Sequence, residues 1–252
     1  KMKIFILNLE KDASRRINMS NKIGMYSFKF YEATNGKNLS KEIIYEIESA
    51  ISKLTNGIIK KLSLGEIGCS HSHLMIYKNI VENSIPLSLI LEDDVNFTQE
   101  GHKLMKEILA NGLDKDIELL ILGYSSDAIN YSKKASLSFF HRRKVFNKII
   151  GIPTERIFGS YGYLITNSGA KKLLSYGMPL RMQADILLGN SKNAGVLNYT
   201  LLKPCIIPDE DNNSSSIGQR EDFYLQEVPS KKNKSAFVSR VLPKNVKKRL
   251  IN

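Results

Sequence analysis

An apolar run, Leu87-Ser88-Leu89-Ile90-Leu91, stops abruptly at three carboxylates, Glu92-Asp93-Asp94. So short and nearly continuous a run reads as a core strand, and a core strand needs layers to cover it. The rest of the chain supplies them. Ile4-Phe5-Ile6-Leu7 is a second β-prone run, ending at Asn8 and followed by a polar segment with Arg15 and Arg16. Ser40 is placed to cap a helix with the apolar stripe Ile43, Ile44, Ile47 and Ile51. A further helix is expected over 71–82, burying Leu74, either Tyr77 or the stem of Lys78, and Val81. Strands are expected at Ile117 to Leu122 and at Tyr163-Leu164-Ile165, the latter followed by Ser168 as the cap of a short helix closed by Gly177-Met178-Pro179. Strands alternating with helices predict an α/β domain with a mixed sheet flanked by helices.

In an open α/β sheet, ligands bind beyond the carboxyl ends of the strands. The acidic triple falls at such an end. Adjacent carboxylates repel, and a divalent cation that favours hard oxygen ligands relieves them; such a cation could bridge to a diphosphate. A solvated turn is the alternative. Upstream, Leu64-Gly65-Glu66-Ile67-Gly68-Cys69-Ser70-His71-Ser72-His73 reads as a glycine-bearing, ligand-facing turn into a helix. Cys69, His71 and His73 alternate, which suits metal ligands on a strand, whereas on a helix residues two apart face away from each other. A packed or capping histidine is the other reading.

The chain has 252 residues, 42% of them hydrophobic, enough for a sizeable core. No run approaches the roughly 18–20 apolar residues of a membrane span, and neither a signal peptide nor an anchor is expected. Cys69 and Cys205 form no finger-like pair, so a reducing, cytoplasmic compartment is expected. The net charge of +12 predicts attraction to anions. Much of it is concentrated at the end: residues 230–252 hold eight Lys or Arg and no Asp or Glu, interleaved with Phe237, Val238, Val241, Leu242, Val246, Leu250 and Ile251. Such a segment suits the anionic inner face of the plasma membrane, or is a solvated tail. A second basic cluster, His141-Arg142-Arg143-Lys144, leaves nucleic-acid binding as a rival class, although no RNA or DNA module is recognisable.

Taken together, Ile6-Leu7-Asn8-Leu9 with Arg15-Arg16, Gly65-Glu66-Ile67-Gly68-Cys69 with Ser72-His73, and Leu91-Glu92-Asp93-Asp94-Val95 resemble glycosyltransferase family 25. Gly159-Ser160-Tyr161-Gly162-Tyr163-Leu164-Ile165-Thr166 with Ser168-Gly169-Ala170, and Met182-Gln183-Ala184-Asp185, fit the same pattern, which runs from about Ile4 to Arg220. The resemblance implies a GT-A-like fold in a single catalytic domain, residues 1–228, followed by a basic tail, 229–252. It implies a UDP-sugar donor, usually UDP-galactose, and inverting transfer to a terminal sugar of a lipid-linked oligosaccharide such as lipooligosaccharide. Glu92 and Asp94 then stand for the metal-binding acidic motif, holding Mn²⁺ or Mg²⁺. Glu in the first position departs from the family's Asp and leaves metal dependence open. Asp93 would turn toward the ribose or into the turn. Asn8, Arg16, His73 and Gly162 would lie near the donor, and Asp185 would take the acceptor's proton unless it only caps a helix. Ser214-Ser215-Ser216 with Ile217-Gly218-Gln219-Arg220 resembles a late loop over the donor.

Overall fold

A computed structural model describes residues 2–55, 62–125 and 133–209; the late serine loop and the basic tail lie outside them. Strands β1 (Lys3–Asn8), β2 (Lys29–Glu32), β3 (Leu87–Glu92), β5 (Leu119–Ser125), β6 (Arg143–Val145), β7 (Lys148–Gly151), β8 (Phe158–Thr166) and β9 (Asn198–Leu201) form one sheet, ordered β2-β1-β3-β8-β5-β9-β7-β6. β4 (Val95–Phe97) and β10 (Ile206–Pro208) form a separate antiparallel ribbon. β2, β1 and β3 are mutually parallel, β8 runs antiparallel between β3 and β5, and β9 is parallel to β5. This is the mixed α/β sheet expected from the sequence.

Alternation along the strands sorts side chains onto two faces. On one, Phe5, Leu7, Ile90, Ile121 and Tyr163 pack against helices α2 (Lys41–Thr55), α3 (Leu64–Glu82), α5 (Asn167–Gly177) and α6 (Ala184–Gly189). On the other, Ile4, Ile6, Leu89, Leu91 and Leu120 meet Met19 and Ile23 of α1 (Ala13–Ile23) and Leu104, Met105 and Ile108 of α4 (Gln99–Asn111). A helix–sheet–helix sandwich results. Its parallel strands β1 and β3 end side by side, with Leu7 opposite Glu92. Because β8 is antiparallel, its beginning, from Ser160 to Gly162, lies beside the same strand ends.

Several local expectations shift. In α2, Ile47 and Ile51 are buried but Ile43 is exposed, so the stripe is narrower than drawn. α3 begins at Leu64, seven residues before the expected His71, because Ser63 and Glu66 form a reciprocal capping box. The glycines of that segment therefore sit in a helix, where Gly68 lets α3 pack on the preceding loop: a Cβ there would lie 2.6 Å from the Thr34 carbonyl oxygen. Thr166, not Ser168, caps α5, accepting from the Gly169 amide at 3.1 Å. Arg143 of the mid-chain basic cluster pairs with Asp116 at 2.8 Å and lies over the Tyr199 ring.

Candidate active site

The same alternation splits the acidic triple. Ile90 faces α3 and Leu91 faces α1, so Glu92 emerges toward α3 and Asp93 toward α1. Arg15 lies on the buried side of α1 together with Met19 and Ile23 and donates to Asp93 Oδ1 at 2.8 Å and to Asp94 Oδ2 at 3.3 Å. Asn8, next on β1's α1-facing side after Ile6, donates to Asp93 Oδ2 at 2.6 Å. Its own Oδ1 accepts from Arg16 Nε at 2.9 Å, and the Arg16 guanidinium lies over the Phe30 ring. Burial raises the Asp93 carboxyl above its usual range while Asn8 and Arg15 pull it back. Asp94, at the turn, is pushed up to about 7 by burial first and then by the charge of Glu92.

On the α3 side, Glu92 Oε1 accepts from Ser160 Oγ at 2.7 Å and lies 3.6 Å from His73 Nε2. His73 is fully buried; its Nδ1 meets the Tyr163 hydroxyl at 2.6 Å, which in turn meets the Tyr77 hydroxyl at 2.7 Å. Cys69 stands one helical turn before His73, and its thiol is held well above the ordinary range by burial and then by the charges of Glu92 and Asp185. His71 points elsewhere, with Nδ1 2.8 Å from Thr34 Oγ1, as expected of residues two apart on a helix.

Asp185 sits in the first turn of α6, whose start is fixed to α3 by the Ala184 amide donating to Ser70 Oγ at 3.0 Å. Its Oδ1 accepts from the Ile186 amide at 2.7 Å and its charge is felt at Cys69, but α6 starts at Ala184 with Gln183 in the N-cap position, so Asp185 lies inside the helix rather than capping one that begins at Ile186. The other residues named from sequence fall as follows. Asn8 and Asp93 are buried and bonded to each other, and His73 is buried beside Glu92. Arg16 is half-buried beside them. Gly162 is accounted for by packing, since a Cβ there would meet the Ile206 side chain at 2.7 Å.

Three contributors were not singled out from sequence. Arg15, rather than its neighbour, reaches the acids; its spacing of four from Met19 and eight from Ile23 is the signal. Ser160 supports Glu92. Asp209 is buried, paired to Lys22 at 2.5 Å and to Asn96 at 3.0 Å, while its amide donates to the Asp94 carbonyl at 2.7 Å. Nothing local in the sequence marks it. The pair Glu92 and Asp94 offers only oxygen donors, with Asp94 raised partly by Glu92's charge; this surplus of negative charge fits a hard divalent cation.

Residues 1–188 match the model of glycosyltransferase family 25, described as an LPS biosynthesis protein family. Procollagen galactosyltransferase 2 of Mus musculus is 30% identical over 179 residues, 68% of this chain and 27% of that protein. A Haemophilus influenzae protein provisionally named a glycosyltransferase is 27% identical over 193 residues, covering 73% of this chain and 61% of its own. The chain thus spans about a quarter of the mouse relative's length. Among solved structures, an inositol-1-phosphate CTP transferase from T. maritima aligns over 95% of both chains at 12% identity, with a TM-score of 0.42.

Proposed function

This chain belongs to glycosyltransferase family 25, and from that premise we propose that it transfers a hexose, galactose, from a UDP-sugar to a terminal sugar of lipooligosaccharide or lipopolysaccharide, inverting the anomeric centre. The family's description as LPS biosynthesis proteins supports the acceptor class, and the name of the mouse relative supports the sugar. The observation that carries the reading is the fan of Glu92, Asp93 and Asp94 at the end of β3, each held by a different partner set.

Asp93 is spent on structure: tied to Arg15 and Asn8, it anchors the turn between Glu92 and Asp94. Those two would hold Mn²⁺ or Mg²⁺, which when bound supplies positive charge opposite a diphosphate leaving group. Ser160 fixes the Glu92 carboxylate by donating to it, so that its orientation is set before substrate arrives. Arg16, half-buried over Phe30, presents a cation at the rim of the same strand ends, suited to a nucleotide phosphate. Asp185 takes the proton from the acceptor hydroxyl as its oxygen attacks the anomeric carbon and UDP departs. The basic tail, 229–252, brings the enzyme to the anionic inner membrane surface where a lipid-linked acceptor resides.

The test is UDP release from a panel of UDP-sugars with Mn²⁺, with and without EDTA, against an oligosaccharide acceptor. Turnover with one UDP-hexose, lost in Asp185→Asn while UDP-sugar binding persists, is the expected result. Salt-sensitive binding to random oligonucleotides without any UDP release would reject the reading.

A further inference from the structure

The α3 side of the site holds a donor set of different chemistry from the acidic turn. Cys69 Sγ, His73 Nε2 and a Glu92 carboxylate oxygen all lie within 4.8 Å of one another. His73 is 0% exposed, and its Nε2 is a buried nitrogen with no hydrogen-bond partner among the described residues. A buried polar atom left unpaired is costly, because it has given up water and gained nothing in return, so its persistence asks for a missing partner. The nearest candidate within the chain, Glu92 Oε1, stands 3.6 Å away, too far for a hydrogen bond but close to the edge of a tetrahedron around an ion with ligand bonds of roughly 2.0–2.3 Å.

The opposite ring nitrogen is already organised as ligating histidines require. His73 Nδ1 lies 2.6 Å from the Tyr163 hydroxyl, itself tied to Tyr77 at 2.7 Å, a supporting shell that fixes the ring plane and aims Nε2 toward Cys69 and Glu92. Ser160 does the same for Glu92. Cys69 and His73 are four apart on α3, hence on one face, and Glu92 comes from the neighbouring strand. A thiolate, an imidazole and a carboxylate select a borderline transition ion over Mg²⁺ or Ca²⁺.

We infer that Cys69, His73 and Glu92 form a three-ligand site for a Zn²⁺-class ion, with a fourth position left open. Only Glu92 is shared with the acidic turn; Asp94 belongs to the diphosphate side. The site is read without any sugar donor, so it stands or falls separately from the transfer reading.

The test uses the full chain stripped with a chelator and titrated with Co²⁺, then Zn²⁺. One equivalent of Co²⁺ should give a near-ultraviolet thiolate-to-cobalt band that Zn²⁺ abolishes. Cys69→Ser should remove the band and weaken Zn²⁺ by at least about 100-fold, beyond the roughly 10- to 100-fold expected for Tyr163→Phe, which removes only support. Asp94→Asn should keep the band. Should Cys69→Ser not fold, Zn²⁺ protection of a thiol against a thiol reagent in the unaltered chain gives the same information. Cobalt uptake without the thiolate band, a band lost in Asp94→Asn, or a thiol reacting equally with and without Zn²⁺ overturns the assignment.

Discussion

Arg15 and Arg16 are adjacent in the chain and opposite in consequence. Arg15 is buried against Asp93, with side chains 10% and 9% exposed, so Arg15→Ala leaves a carboxylate in the protein with its cation gone. Loss of one partner of a buried pair costs about 3–5 kcal/mol, whereas Arg16→Ala, at the rim, should cost under about 1 kcal/mol; urea unfolding of the two variants measures the contrast. Asp94 titrates in the opposite sense to an ordinary paired acid. Its folded value, about 7, lies above the ordinary 3.8, so the stability it lends is complete below that ordinary value and is lost as pH climbs through about 7. In EDTA, the melting temperature of the unaltered chain relative to Asp94→Asn should fall between about pH 4 and about pH 7, and added Mn²⁺ should restore it. A difference that stays flat with pH refutes this. That the acids close a core strand was legible, because a charged triple follows five nearly apolar residues. Which arginine met them was not, since adjacent residues differ only by helical phase, and that phase needed the helix to be placed first.

Helix α3 carries Cys69 and His73, and its position depends on two small devices. The Ser63–Glu66 capping box fixes where it starts, and Gly68 sets how closely it approaches the segment from Thr34 to Gly36. Ser63→Ala should cost about 1 kcal/mol with the site intact. Gly68→Ala, although favoured by helix propensity, places a methyl 2.6 Å from a backbone oxygen that cannot swing aside. It should cost about 1–3 kcal/mol in thermal unfolding, and a stabilised Gly68→Ala variant would show that α3 is free to shift. The element type was readable, its N-terminus was not: Gly65 and Gly68 look like turn residues, while the Ser63 and Glu66 spacing that announces a helix lies among them. β8 is longer than the expected Tyr163-Leu164-Ile165, running from Phe158 to Thr166. Gly162 stays in register opposite Leu91, and Ile206 occupies the space a side chain there would need.

At the scale of the whole molecule, the alternation of apolar runs was enough to give a helix-flanked mixed sheet. It could not give the β4–β10 ribbon, where Asp209 meets the Asp94 backbone across more than a hundred residues. Charge distribution belongs to this scale too, and it was readable where contacts were not. Arg143, in the mid-chain cluster, is engaged with Asp116 and Tyr199, which weakens that cluster as a nucleic-acid surface. The eight cations of residues 230–252 are concentrated in one segment with seven large apolar residues between them. Near an anionic bilayer each basic residue contributes on the order of 1 kcal/mol, and the attraction decays within a Debye length, about 8 Å at physiological salt. A chain shortened to end at Pro229 should therefore lose at least about 100-fold in affinity for vesicles containing phosphatidylserine, while neither chain binds neutral vesicles tightly. The difference should shrink as salt is raised, because the screened charges carry it. UDP release with a soluble acceptor should be unchanged by the shortening and slower only with a vesicle-embedded acceptor. Equal sedimentation of the two chains with anionic vesicles would remove the tail from the account and leave the acceptor to be found through the catalytic domain alone.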